Sequence, residues 1–484
     1  MRRREFLRVA EAGAALVASR CLLGCGDDAM PPGSPAAPLV PPASTLHLPS
    51  AEEMLGWIDA IVRQGIRRPG YAADRWVEEW ALQRFRDIGL EDARLEPVTV
   101  PYWEAHTAEL TLADGTKFVG FALPHTAPGV VSASLARFDG GAVEGRIAVR
   151  EIGFAQYPQA LVRGLATSTY DPTNEFDTLV QTVPFHSEQN HVMDSTVAKK
   201  AAGFVGLLTG LPWETCDYYV PYDAEPRPIP GIWLSGANGR ALLARMAQGP
   251  LEARLEVQAE RYDVTSHNVV GTLRGRSNEW VIIASHHDGP WASAVEDGSG
   301  IAMVLAQATH WAAVPESERP HNLLFLLCAG HMVNAAGTRA FIAAHGDLLA
   351  KTVLEVHLEH VARRCEPDGA GGLRATEEPE VRWWFTSQNE ALRATVREAI
   401  ANHALGRSLI FPATAFSPMP PTDGAYFYPA GVPLVHFLTA PMYLFDSRDT
   451  IDKVHGPSLV PLSRAVVQIV ASTRDVSAAA MRAG

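Results

Sequence analysis

Five stretches carry the side chains able to do chemistry. His286-His287-Asp288 closes the apolar run Trp280 to Ser285, and Glu296-Asp297-Gly298-Ser299-Gly300 follows soon after it. Gly330-His331-Met332 closes the run Leu323 to Ala329, and the run Thr352 to Val361 contains His357-Leu358-Glu359-His360. A last segment holds Thr422-Asp423-Gly424, Gly431-Val432-Pro433 with His436 just beyond, and Asp446 to Thr450. Histidine, aspartate and glutamate at the ends of three apolar runs are the donor types of a catalytic zinc site, where three protein ligands leave the fourth position to water. In a His-x-Asp unit the carboxylate orients the histidine from behind. Singly, each residue has a plain structural role: a strand-end histidine is a capping or surface group, and Asp297 before a Gly-rich helix start is an N-cap. Their joint order and spacing carry the signal. No His-Glu-x-x-His, Gly-x-Ser-x-Gly or Walker loop is present.

The elements that must position these residues are legible. Ser50-Ala51-Glu52-Glu53 is a capping box opening a helix with Leu55, Ile58 and Val62 on one face. A second helix runs from about Ala73, with Val77, Trp80, Ala81, Phe85 and Ile88 inward and Gly89 as its stop. Between residues 108 and 262 the texture is short β-rich runs broken by Gly, Pro and Asn. After 263, apolar strands (280–285, 323–329, 352–361, 381–386, 432–438) alternate with amphipathic helices (300–311, 335–345, 389–403, 461–473). Such alternation predicts an α/β fold, a mostly parallel twisted sheet covered by helices on both faces. Ligands in these folds collect beyond the carboxyl ends of the strands.

At these residues the chain resembles the co-catalytic zinc aminopeptidases of metallopeptidase family 28, over about 50–105 and 263–475. His286-His287-Asp288 resembles the family's His-x-Asp. Asp297-Gly298-Ser299-Gly300 resembles the Asp-Asn-x-Ser-Gly element whose first Asp bridges two zinc ions. Thr422-Asp423, Gly431-Val432-Pro433 and Asp449-Thr450-Ile451-Asp452-Lys453 resemble later landmarks. The 108–262 stretch is similar to a protease-associated insert, through Val143 to Ile147, Ala198 to Leu208, Ile229 to Ile232 and Gly239 to Leu243. The implied organisation is a signal peptide at 1–24, a tether at 25–48, a peptidase-like domain at 49–107 and 263–478, and the insert at 108–262.

The departures from the family pattern are informative. Where the family has two adjacent glutamates, one the general base and one a ligand, this chain has His331 and Met332; its last histidine ligand is replaced by Phe445. Methionine and phenylalanine do not hold zinc. The resemblance then implies one zinc on His286, Asp297 and Glu359, with Asp288 orienting His286. His331 is a general base suited to neutral pH, or a fourth ligand closing a structural site, or part of a site that takes no metal. His287, His357, Asp423 and His436 are further active-site candidates, His436 resembling a non-ligand histidine of glutaminyl cyclases. Strand alternation puts His357 beside Glu359 and sends His360 to the other face. Two functions follow: a hydrolase of a peptide or amide bond in a small substrate, and a non-catalytic binding protein on the same fold. A cyclase-type transferase is a third.

The 484 residues carry a formal charge of −13 and have 47% apolar residues, the composition of an ordinary globular chain. Without a basic stripe, a nucleic-acid partner is not expected. No apolar run approaches the roughly 18 residues that span a bilayer. The one basic cluster, Arg2-Arg3-Arg4-Glu5-Phe6-Leu7-Arg8, resembles a twin-arginine export signal, and Leu22-Leu23-Gly24-Cys25 resembles a lipobox. The expectation is an envelope or periplasmic protein held to a membrane only by lipid on Cys25. Loss of residues 1–24, with five Arg and two Glu, would take the charge to −16. Three scattered cysteines then remain, no disulfide framework, with Cys328 a small core residue.

Overall fold

The computed structural model describes residues 46–183 and 191–484. The expected export signal, Cys25 and the tether up to residue 45 lie outside the described residues. Two helices open the fold, α1 (Ala51–Val62) and α2 (Ala72–Ile88). The Ser50 hydroxyl accepts the Glu53 N–H at 3.1 Å, as the capping box predicts, and Gly89 ends α2 in the left-handed conformation. The stripe that α1 buries is Met54, Ile58 and Ile61, one position round from the stripe expected.

The strands, in chain order, are β1 (Glu91–Leu112), β2 (Phe121–Ala122), β3 (Gly129–Arg137), β4 (Ile147–Gly153), β5 (Ser168–Tyr170), β6 (Gly203–Thr209), β7 (Gly231–Leu234) and β8 (Glu252–Leu273). They continue with β9 (Trp280–His286), β10 (Asn322–Cys328), β11 (Thr352–Leu358), β12 (Arg382–Thr386), β13 (Ser408–Pro412) and β14 (Leu434–Thr439). With the short strand Lys117–Val119 these form one 15-stranded sheet, ordered β2-β7-β6-β4-β3-β8-β10-β9-β11-β14-β12-β13-β5, with β1 paired to β8. Strands β10, β9, β11 and β14 are mutually parallel. Val281, Ile282, Ile283 and Ala284 of β9 are all fully buried, the continuous apolar run of a strand covered on both faces. Burying each such branched side chain stabilises the fold by about 1.5–3 kcal/mol. The cover includes α1, α2, α3 (Ser299–Ala313) and α4 (Gly456–Ala471). Helix α4 starts five residues earlier than its sequence suggests and runs through Pro461, which forgoes one backbone bond.

The 108–262 stretch, expected as an insert, is less separate than its composition implies. β1 and β8 pair antiparallel from Glu91↔Thr272 to Leu112↔Ala253, and both expected boundaries, at 107/108 and 262/263, fall inside these strands. β5 leaves the insert altogether and pairs with β13 at the far edge of the main sheet. There Val162, Phe176 and Leu179 pack against Trp383, Phe385 and Phe411. Cys216, Cys328 and Cys365 are free thiols. Among the described residues no helix is long and apolar enough to cross a membrane.

Candidate metal centre

The donor-bearing residues meet at the carboxyl edge of the central parallel strands. His286 is the last residue of β9, His331 opens a short turn just past β10, and Glu359 and His360 follow β11. The loop after β9 is clamped from two sides. The fully buried Arg67 donates to the carbonyls of His287, Ala292, Ser293 and Glu296. Asp449 accepts the N–H groups of Val295 and Glu296, both at 2.8 Å. Gly300 lets α3 start in this crowded place: a Cβ there would sit 2.2 Å from Asp297 Oδ2 and 2.4 Å from Ser285 Oγ.

Three buried donor atoms converge. Glu296 Oε1 lies 3.5 Å from His286 Nε2 and 3.5 Å from His331 Nε2, and the two imidazole rings are 4.2 Å apart. Ligands about 2.1 Å from a tetrahedral zinc ion stand about 3.4 Å from one another, so this spacing is the edge of such a tetrahedron. His286 Nε2 and Glu296 Oε1 have no hydrogen-bond partner. His286 Nδ1 donates to the Asp288 carbonyl at 3.0 Å, which fixes the tautomer and leaves Nε2 as a lone pair. Burial, with His331 alongside, holds the His286 imidazole well below its ordinary pKa and so neutral. These residues fit one zinc ion.

The converging set differs from the expected one at two places: Glu296 stands where Asp297 is expected, and His331 where Glu359 is expected. The carboxylate at the focus belongs to Glu296. Asp297 instead accepts from the Ser285 hydroxyl, the Gly300 N–H (3.0 Å) and the His360 N–H (3.2 Å), bracing the start of α3. The sequence held the signal: counting the five-residue Asp-Asn-x-Ser-Gly element back from Ser299-Gly300 lands on 296. His360, expected on the opposite face, joins the site because β11 ends at Leu358 and His360 takes a left-handed φ of 51°. Its Nε2 rests on Glu296 Oε2 and lies 3.7 Å from Glu359 Oε2.

Asp288 was expected to orient His286 through its carboxylate. That carboxylate is 3.8 Å from the ring and instead accepts the N–H groups of His331 and Met332 at 2.9 and 2.8 Å. It holds the turn that presents His331, while its own carbonyl orients His286. Burial, with Asp74 nearby, raises the Asp288 carboxyl to about 6.

Behind the focus runs a buried chain of alternating acids and imidazoles. Glu359 Oε1 accepts the Asp423 N–H at 2.8 Å and lies 3.1 Å from His357 Nε2. His357 Nδ1 donates to Glu355 at 3.1 Å, and Glu355 accepts from His436 Nε2 at 2.5 Å. His436 Nδ1 is 2.6 Å from Thr422 Oγ1. Burial would raise the Glu359 carboxyl, but the bond from His357 and the charge of His360 hold it well below the usual carboxylate range. Asp423 faces His331 Nδ1 at 3.3 Å. Burial alone would lower the His331 pKa; Asp423 and Glu296 carry it to about 9.

His287 points away from all of this. Its Nδ1 is 3.0 Å from Asp74 Oδ1 and its Nε2 donates to the His267 carbonyl at 2.9 Å. Met332 is buried in the apolar core, and Phe445 packs against Tyr222, ring centres 5.1 Å apart. A cavity of about 240 Å³ opens beside His331, Glu359 and His360, walled by Tyr222, Phe445 and the Met419-Pro420-Pro421 loop.

The profile of Peptidase family M28 matches residues 268–470. Three solved structures share the fold. The Peptidase M28 precursor from Shewanella amazonensis SB2B is 19% identical with a TM-score of 0.65, over 88% of this chain and 96% of that one. BSAP, a zinc aminopeptidase from Bacillus subtilis, is 15% identical with a TM-score of 0.62, over 87% of this chain and 95% of that one. An aminopeptidase from Aneurinibacillus sp. strain AM-1 is 19% identical with a TM-score of 0.57, over 88% of this chain and 93% of that one. Among curated proteins none matches the chain.

Proposed function

We propose that the chain is a zinc-dependent hydrolase of peptide or amide bonds, working with a single ion held by His286, Glu296 and His331. The observation that carries this reading is the convergence of three buried donor atoms at tetrahedral-edge spacing beside an open cavity. Two histidines and a glutamate are also the ligand set of known single-zinc peptidases. With Met332 and Phe445 in place of donors, a second ion has no equivalent set of side chains. The M28 profile match and the zinc aminopeptidase fold support the same class of chemistry.

A zinc ion at this place supplies Lewis acidity, which activates water and polarises a carbonyl. The rest falls to the chain. The Asp288 carbonyl sets the His286 tautomer and leaves its Nε2 free to ligate; His331 Nδ1 faces Asp423 at 3.3 Å, and its Nε2 would ligate with release of its proton. With both its nitrogens committed, His331 does not serve as the general base. The groups at the cavity wall able to hold a proton are Glu359, kept ionised by His357, and His360, whose Nε2 lies between Glu296 and Glu359. Asp449 and Arg67 keep Glu296 aimed at the focus. The insert supplies Tyr222 to the cavity and so shapes access to it.

We also propose export, with anchoring through a lipid on Cys25; a Cys25→Ala protein is expected to lose membrane fractionation. The second reading, a non-catalytic binding protein, is favoured by the tight seat of His360 on Glu296, an imidazole where a cation would sit. Metal analysis separates the two. The hydrolase reading expects about one zinc per chain, lost in His286→Ala and Glu296→Gln. A wild-type protein that neither retains nor takes up zinc overturns it.

A further inference from the structure

We infer that the group entering this cavity is apolar and uncharged, so that the substrate is an amide blocked at its amino end. This rests on the reading of the cluster as a hydrolytic centre and goes beyond it to the substrate class. At about 240 Å³ the cavity is smaller than the roughly 300–1,000 Å³ of drug-sized ligand sites and suits one aromatic or branched group. Its apolar and aromatic wall is Tyr222, Phe445, Met419, Pro420, Pro421 and Tyr426, alongside the polar residues His331, Asn334, Glu359, His360, Ser417 and Thr422.

A terminal ammonium taken out of water needs an acceptor, above all a carboxylate, because an unpaired buried charge is strongly disfavoured. Glu359 is the one carboxylate in the lining; it is 1% exposed, with Oε1 serving the Asp423 N–H and facing His357 and Oε2 turned to His360. Glu296 and Asp423 lie behind the lining, fully buried, and face His286, His331, His360 and Thr338. The lining histidines offer no lone pair either: His331 faces Asp423 and Glu296, and His360 donates Nδ1–H to the Thr439 carbonyl while Nε2 rests on Glu296.

Among the neutral polar side chains of the lining, Ser417 Oγ bonds the Met419 backbone, Thr422 Oγ1 lies 2.6 Å from His436 Nδ1, Tyr222 offers only a neutral hydroxyl, and the Tyr426 hydroxyl is turned to Asn334. Asn334 itself is the one side-chain amide. Its Oδ1 already accepts the Tyr426 hydroxyl at 2.8 Å, so its N–H groups are what it has to offer. Those are donors, suited to an acyl carbonyl and unsuited to an ammonium. Among the described residues no lysine or arginine lines the cavity to receive a terminal carboxylate; Arg339 sits over the Tyr426 ring at 5.7 Å, outside the lining.

Calorimetric binding of N-acetyl-L-phenylalaninamide and of L-phenylalaninamide to the zinc-supplemented full-length protein tests this without requiring turnover. The acetylated amide is expected to bind at least about tenfold more tightly. Asn334→Asp, which keeps a residue type tolerant of the left-handed φ there, places a carboxylate in the wall and is expected to narrow or reverse the preference. Equal affinity, tighter binding of the free amine, or no binding of either compound overturns the assignment; the wild-type pair decides even if the variant fails to fold. Hydrolysis of the matching anilides is read separately. Selective binding without turnover retains the neutral-substrate assignment and counts against the hydrolase reading, whereas turnover favouring the free amine does the opposite.

Discussion

His286 and His287 are chain neighbours that face opposite ways, and each sits in a buried cluster of acids and imidazoles. On one side, His286, Glu296 and His331 converge next to a cavity, and neither His286 Nε2 nor Glu296 Oε1 has a hydrogen-bond partner. On the other, His287, Asp74 and Glu78 gather just as closely. There most of the oxygens are in use: Asp74 Oδ2 accepts the Gly70 N–H, while Asp74 Oδ1 faces His287 Nδ1 at 3.0 Å as an ion pair outside hydrogen-bond geometry. Glu78 accepts from Ser266, from the His267 N–H and from His267 Nδ1. The same residue types at the same density therefore have different uses. A cluster closed by its own ion pair and by bonds to the backbone ties α2 to β8; one whose donor atoms face one another beside open space is suited to an ion and a substrate.

The sharpest way to break this distinction is to remove one carboxylate from each cluster. Glu296→Gln is expected to lose zinc and to lower hydrolysis by about a thousandfold or more, with little change in the melting temperature of the metal-free protein. Asp74→Ala is expected to leave zinc content unchanged and to cost about 3–5 kcal/mol of stability, because His287 is left as an unpaired buried group. Metal analysis and denaturant unfolding of both variants check the pair. If Asp74→Ala removed the zinc, or Glu296→Gln unfolded the protein, the two clusters would not be separable.

A smaller effect is expected from pH. Burial would lower the His287 pKa, but Asp74 beside it raises it to about 9. A folded-state pKa above the unfolded value of about 6.5 stabilises fully below pH 6.5 and is lost as pH rises through about 9, a contribution of roughly 3 kcal/mol. Stability of the zinc-free protein is therefore expected to fall between pH 7 and 10. Asp74→Asn is expected to flatten that fall. A slope unchanged in Asp74→Asn would remove the pair as its source.

Much of the open cluster is written locally, which is why it could be found without coordinates. The apolar run ending at His286, the Gly-rich start of α3 and the strand before Glu359 each announce a strand or helix end. Two of its members escaped for local reasons. Glu296 is one residue upstream of the acid that looks like an N-cap, and His360 lies beyond the end of strand alternation, where a left-handed turn reverses its direction. The closed cluster was not legible at all. Asp74 and Glu78 sit on an ordinary amphipathic helix, and only the packing of α2 on β8 brings them to His287, Ser266 and His267. The same non-local pairing hid β5, three residues of the expected insert that complete the far edge of the main sheet.

The gentlest test concerns Ser266, whose hydroxyl lies 2.6 Å from Glu78 Oε1 and 3.2 Å from Asp74 Oδ2. A hydroxyl has one proton, so the shorter contact is the bond and the longer one a close approach. Removing it in Ser266→Ala leaves Glu78 with both His267 donors and Asp74 with Gly70 and His287. No carboxylate is stranded. The expected cost is therefore that of a single hydrogen bond to a charged group with its partner still satisfied, about 1 kcal/mol, read from denaturant midpoints at constant slope. Zinc content and turnover should not change. A loss as large as that of Asp74→Ala would mean the closed cluster depends on the hydroxyl as a proton link between its acids, and would make it more than a strut.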